Sequence, residues 1–224
     1  MLRTEFHCHT MYSKDSLTPP RRLLESCRRK QIDRVVVTDH DTIAGALQAK
    51  EIDPERVIVG EEIMTTRGEI LAAFMIREIP PGLTPEETIG RLREQDAFIS
   101  VSHPFDAMRR GGWDEPDLLA IAPLVDAIEV FNSRCVRPSY NRQAAEFASQ
   151  HDLAGTVGSD AHAPLELGRS VLMLEPFADS DGLRRVIRQA RAQTQLSPAW
   201  FHLISRYAKY RKQINKWLDT SARA

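Results

Sequence analysis

The sequence predicts an α/β protein whose largely parallel sheet closes into a barrel, followed by an extra basic amphipathic helix at the C-terminus. Three observations carry this. Short apolar runs alternate with helical patterns along most of the 224 residues. Several runs, Val35-Val36-Val37 among them, are apolar without interruption, as strands covered on both faces are. Five of the seven histidines fall at or just after the ends of such runs, where α/β barrels gather their chemistry.

Strands are expected at 2–7, 34–38, 56–60, 69–76, 97–102, 125–131, 154–158 and 170–174. Helices are expected between most of them, at 19–30, 43–50, 85–95, 115–121, 139–151 and 179–193. Thr18-Pro19 and Thr84-Pro85 each place a capping hydroxyl before a proline suited to a first helical turn. Glu87, three residues after Thr84, completes a capping-box pattern. Seven or eight such strands are too many for a small open sheet, which favours closure. Ser197-Pro198 reads as a fresh helix start, so the chain divides into a barrel over 1–195 and a helical extension over 196–224.

Composition narrows the class. Hydrophobic residues make up 42% and charged residues 27%, the mix of a globular chain with a full core. The longest apolar runs, such as 70–76, fall far short of the roughly 20 residues a membrane helix needs. The N-terminus lacks an apolar secretory segment, and Cys8, Cys27 and Cys135 are few and scattered, which reads as reduced thiols in the cytoplasm. The net charge of −1 hides an asymmetry: residues 182–218 hold nine basic side chains and no acidic one, leaving about −10 for the remainder. Trp200, Leu203, Ile204, Tyr207, Ile214, Trp217 and Leu218 recur at helical spacing there, beside Arg206, Lys209, Arg211, Lys212 and Lys216. Such a helix docks on the barrel or on a second subunit, lies on a membrane surface, or follows a nucleic-acid backbone.

The histidines keep acidic company. His7 and His9 close the first strand, His40 the second, His103 the run ISVSHP, and His162 follows VGSDAH. Asp15, Asp39, Asp41, Glu61, Glu62 and Asp160 lie at or just after strand ends as well. Two residues apart on a strand, His7 and His9 face one way and can grip one metal, with Cys8 opposite. Imidazole and carboxylate together suit Zn, Mn or Fe, and a carboxylate such as Glu62 can bridge two cations. Asp39 and Asp41 are candidates for orienting His40. His151 and His202 lie in or near helices and read as structural, Cys135 as an ordinary thiol, and one of Glu61 and Glu62 as a rim charge.

These motifs resemble those of the PHP (polymerase and histidinol phosphatase) family: HxHT at 7–10, TDHD at 38–41, GxE at 60–62, SHP at 102–104 and GSDAH at 158–162, in the family's order. The resemblance spans residues 1 to about 175 and implies a distorted seven-stranded (β/α) barrel with a two- or three-metal centre that hydrolyses phosphoester bonds. It assigns His7, His9, Glu62 and Asp160 to a first metal, Glu62 and His103 to a second, and Asp15, His40 and His162 to a third; GxE selects Glu62 over Glu61. Relatives often place another histidine on the strand after GxE, where this chain offers Leu71. The second metal would then have fewer protein ligands, with Glu129, Asn132 and Cys135 as candidate substitutes.

The implied activity is hydrolysis of a small phosphomonoester or nucleotide by attack of a metal-bound hydroxide. A nuclease acting on the ends of short DNA or RNA, a histidinol-phosphate phosphatase and a non-catalytic metal-binding barrel are the alternatives. Arg109, Arg110, Arg134 and Arg169 lie near motif loops, and arginine forks suit phosphate oxygens; Arg134 and Arg169 are the first choices for substrate phosphate.

Overall fold

A computed structural model of the chain describes residues 1–109 and 111–221, so Arg110 lies outside the described residues. The elements follow the expected alternation: β1 (Leu2–Glu5), α1 (Pro20–Arg29), β2 (Arg34–Val37), α2 (Ala44–Ile52), β3 (Val57–Met64), β4 (Glu69–Ala73), α3 (Pro85–Arg93), β5 (Phe98–Val101), α4 (Glu115–Ile121), β6 (Ala127–Asn132), α5 (Pro138–Gln150), β7 (Ala154–Gly158), β8 (Ser170–Leu174), α6 (Ser180–Val186), β9 (Arg191–Thr194) and α7 (Phe201–Ser221). The expected capping box is present at α3, where Thr84 Oγ1 accepts from Glu87 N and Glu87 Oε2 accepts from Thr84 N, at 3.2 and 3.1 Å. Thr18 does not cap α1; its hydroxyl donates to the His162 carbonyl (3.1 Å) and ties that helix's approach to a motif loop.

Among the described residues, nine strands form one sheet in the order β7-β6-β5-β4-β3-β2-β1-β8-β9. β1, β2 and β3 are parallel, as are β5, β6 and β7, whereas β4 runs antiparallel to both β3 and β5. β8 lies antiparallel along β1, and β9 along β8. The sheet is therefore less parallel than expected, and the predicted helix at 179–193 ends early: α6 gives way to a 3-10 turn at Ile187–Gln189 and then to β9.

The barrel is nearly closed. Beyond β1, Cys8 pairs in parallel with Ala161 beyond β7, and His9 N donates to the Ala161 carbonyl at 2.8 Å. Glu5 pins the seam. Its carboxylate, fully buried, accepts from His7 N (3.3 Å), Ser159 N (2.8 Å), Gly168 N (2.9 Å) and the Ser159 hydroxyl. Burial pushes its pKa up to about 7, although the four donors favour the charged form.

Strand alternation sorts the core. Val35 and Val37 pack with Leu23 and Leu24 of α1, while Val36 joins Phe6, Ile58 and Phe98 in a second cluster that takes in Leu183 and Ile187. Helix α7 begins at Phe201, three residues later than Ser197-Pro198 suggested. It docks through Phe201 and Ala208, both buried, while Trp200, Leu203, Tyr207 and Leu218 stay half or more exposed. Of the apolar face read from the sequence, Ile204 and Ile214 are half-buried and the rest stays exposed. Arg134 donates to the Phe201 carbonyl (3.3 Å) and Ser205 Oγ (2.8 Å), and Lys212 to the Met11 and Ser13 carbonyls. Among the described residues, no helix is long and apolar enough to cross a membrane.

The seam gives a stability test. Glu5→Gln keeps the shape but turns one acceptor into a donor facing donors, so it should cost about 1–3 kcal/mol, read as a lower urea midpoint. An unchanged midpoint would remove Glu5 from the closure.

Candidate metal centre

Barrel closure brings the eight sequence-selected residues to one end of the sheet. His7 and His9 extend β1, His40 follows β2, Glu62 lies on β3, His103 follows β5, and Asp160 and His162 follow β7. Asp15 comes from the loop before α1. All are buried except His40, which is mostly so. His7 Nε2 stands 3.3 Å from Glu62 Oε2 and 3.7 Å from Asp160 Oδ1; His9 Nε2 stands 3.5 and 3.3 Å from the same atoms. His40 Nδ1 lies 3.1 Å from Glu62 Oε2, and its Nε2 lies 3.5 Å from Asp15 Oδ2. His162 Nε2 is 3.3 Å from Asp15 Oδ1, and His103 Nε2 is 3.1 Å from Glu62 Oε1.

Local backbone explains part of this convergence. A Cβ at Gly158 would meet His7 Cβ at 2.4 Å and Glu129 Oε1 at 2.5 Å, so the first residue of GSDAH must be glycine for β7 to pass so close to the site. Asp160 itself adopts φ +50°, a left-handed conformation that aspartate tolerates better than most residues.

The electrostatics are those of a site built to hold cations. Burial alone would lower the pKa of His7, but Glu62, Glu129 and Asp160 outweigh it and raise it well above the usual range. His40 is likewise raised, to about 9, by Glu62, Asp15 and Glu69 against burial. Burial and the neighbouring His162 push His9 down to about 3, which keeps it a neutral imidazole. Burial opposes ionisation of Asp160, yet Arg109 and His7 hold it well below the carboxylate range.

Among the described residues, the buried atoms without a hydrogen-bond partner include Nε2 of His7, Nε2 of His9, Nδ1 of His40 and Oδ1 of Asp160. Ligand atoms about 2.0–2.2 Å from a shared cation sit roughly 3 Å apart, close to the spacings found here. Groups placed to hold a metal are His7, His9 and Glu62; His9, Asp15, His40 and His162; and His40, Glu62 and Glu69. The residues present therefore fit divalent cations.

Glu69 is the residue that sequence reasoning missed. Its oxygens lie 3.4 Å from His40 Nδ1 and 3.5 Å from His103 Nε2, and burial together with Glu62 raises its pKa. Leu71, the position taken for a lost histidine, lies two residues deeper on β4 and faces the barrel interior with Phe6, Val36 and Phe98. The proposed substitutes serve other ends. Glu129 Oε1 fixes His7 through Nδ1 (2.9 Å), and its Oε2 accepts from His103 N (2.9 Å). Asn132 donates to Glu129 and Asp160 at 3.0 and 3.2 Å, and burial raises the Cys135 thiol, which joins no metal-holding group among the described residues. Asp39 and Asp41 do not orient the His40 ring: Asp39 accepts from Thr10, and Asp41 Oδ1 from Met64 N (2.9 Å). Glu61 turns away and accepts from Ile79 N at 3.0 Å.

The arginines are reassigned as well. Arg109 reaches the site, bridging Asp160 and Asp106. Arg134 borders the cavity above the cluster, but its guanidinium is committed to Glu166 (3.2 Å) and to α7. Arg169 is turned to the C-terminal segment, donating to the Leu196 carbonyl (2.6 Å) and lying over the Phe201 ring. His151 packs its ring on Phe147, as a structural residue would, whereas His202 lines the cavity.

Comparison with known proteins is consistent with this geometry. The family model PHP_C, described as PHP-associated, matches residues 138–192. The uncharacterized protein MJ0417 of Methanocaldococcus jannaschii is 36% identical over 174 residues, 76% of this chain and 70% of that protein. MJ1587 of the same organism is 36% identical over 145 residues, 59% of this chain and 82% of that protein. Among solved structures, a two-domain Bacteroides vulgatus protein containing a predicted PHP-like metal-dependent phosphoesterase gives a TM-score of 0.69 at 18% identity; the match covers 87% of this chain and spans 65% of that one. PsfC from Pseudomonas syringae gives 0.67 at 18% identity, covering 96% of this chain and 100% of that one. An amidohydrolase from Chromobacterium violaceum with bound SO4 and no metal gives 0.62 at 15%, covering 83% and 97%. At these identities the structures establish likeness of fold.

Ligand membership can be counted. If Glu69 holds an ion together with Glu62, Glu69→Ala retains about one metal fewer per chain than the wild type after equilibration with Mn or Zn and dialysis, measured by plasma mass spectrometry. Equal stoichiometry would take Glu69 out of the set.

Proposed function

The chain belongs to the PHP family, and from that premise we propose that it is a metal-dependent phosphoesterase acting on a small phosphorylated substrate. The observation that supports this most is the convergence of imidazole nitrogens and carboxylate oxygens, several without partners, beneath a cavity of about 610 Å³ whose lining includes Lys14, Arg109, Arg206 and Lys209. A cavity of that size suits a small molecule.

His7, His9, Glu62 and Asp160 would hold one ion; Glu62, Glu69 and His103 a second; Asp15, His40 and His162 a third. Divalent ions in such a site polarise phosphoryl oxygens and bring water to a reactive state at neutral pH. The remaining work belongs to the protein. Glu129 holds His7 in one orientation, and Ser102 donates to Glu62 Oε1 (2.7 Å), fixing the carboxylate shared by the first two sets. Arg109, on Asp160 and at the cavity wall, is the arginine best placed to receive phosphate oxygens, a role for which Arg134 and Arg169 are the first choices from sequence.

A panel of sugar phosphates, nucleotides and p-nitrophenyl phosphate, with Mn, Zn and Fe supplied separately, tests the reading. Hydrolysis is expected with at least one metal. His103→Ala should lower kcat by about a thousandfold or more, whereas His151→Ala should stay within about threefold. Absence of turnover with every metal, or equal losses in the two variants, would contradict it.

A further inference from the structure

The basic C-terminal helix does more than cover the barrel. His202, Ser205, Arg206 and Lys209 follow the spacing i, i+3, i+4, i+7, one stripe of α7, and all four line the cavity above the metal cluster. The register of this stripe is fixed from inside the protein. Glu166 accepts from His162 N (3.2 Å) and pairs with the buried Arg134, which in turn holds Phe201 and Ser205. Ser197 N donates to the Ser133 carbonyl (2.7 Å), and Lys212 grips the loop carbonyls of Met11 and Ser13 at the other end. The polar stripe is thereby bolted to the motif that carries Asp160 and His162.

The charges on that stripe have little to do within the protein. Arg206 is exposed and makes no hydrogen bond or ion pair among the described residues. Lys14, exposed on the facing loop, likewise lacks an ion pair there, and Lys209 reaches only Asp15 Oδ2, at 3.5 Å. Arg109 and the metal-holding groups suffice for one phosphate, so three cations at the mouth exceed what a single scissile group requires.

We propose that α7 is a substrate-recognition element, in which Arg206 and Lys209, with Lys14, hold a second phosphate of the substrate while the first sits over the metal cluster. This rests on the phosphoesterase reading and names its substrate class: a small compound bearing two phosphate groups. The cavity's size favours such a compound over a polynucleotide.

The test pairs glucose 6-phosphate with glucose 1,6-bisphosphate, and compares wild type with Arg206→Ala, Lys14→Ala and the double variant. Lys209 is left intact because it touches Asp15. Binding is read by calorimetry on metal-free and metal-loaded protein, turnover separately, and p-nitrophenyl phosphate reports the chemistry alone. Wild type should bind the bisphosphate about tenfold or more tightly than the monophosphate. The double variant should lose that preference through KM, with a far smaller change in the KM for p-nitrophenyl phosphate, and Arg206→Lys should restore part of it. Equal binding of the two ligands by wild type, or equal losses on every substrate, would overturn the proposal. So would a preference for a short oligonucleotide over the bisphosphate. If no phosphoester is turned over but the bisphosphate preference persists in binding, the phosphoesterase reading fails and the recognition surface stands.

Discussion

The structure is organised around one buried carboxylate. Glu62 is almost wholly removed from solvent, yet its two oxygens lie within 3.5 Å of nitrogens from four imidazoles, those of His7, His9, His40 and His103. Removing an unpaired carboxylate from water costs several kcal/mol, so this position is tolerable only with opposing charge close by. His7 and His40 hold protons more tightly in response, whereas burial and the neighbouring His162 keep His9 neutral. Divalent cations between these groups would meet the same electrostatic demand more fully.

That demand explains features of the fold that otherwise look unrelated. The barrel has to close tightly between β1 and β7, because His7 and His9 come from one side of the seam and Asp160 and His162 from the other. Glu5 and Ser159 hold the seam, and Gly158 removes the side chain that would keep β7 away from His7. Glu129 and Asn132 then form a supporting layer beneath the imidazoles and Asp160. At the open end, α7 adds positive charge around an acid-rich cavity, joined to it through Arg134 and Glu166.

Much of this was legible in the sequence because parallel strands obey a positional rule: their C-terminal ends share one face. His7, His9, His40, His103, Asp160 and His162 all follow it. Glu69 escaped because β4 runs the other way, so its first residue rather than its last lies at that face, and no local pattern announces strand direction. Leu71 was misjudged for the same reason. The docked face of α7 was hidden too. Counting apolar side chains selects Trp200 and Leu203, but docking is set by small Ala208, by Phe201 and by hydrogen bonds from Arg134 that sequence spacing does not encode. Arg169 sits beside a motif loop in sequence and yet turns toward Phe201, a contact that appears only once the C-terminal segment has folded back.

We propose that Glu62 and its four imidazoles hold metal ions. Crystals equilibrated with manganese and measured for anomalous scattering address it most directly. Anomalous peaks are expected within coordination distance of Glu62, with His7, His9 and Asp160 around one of them. A fully occupied protein crystal with no such peak, or with manganese bound only away from Glu62, would contradict it.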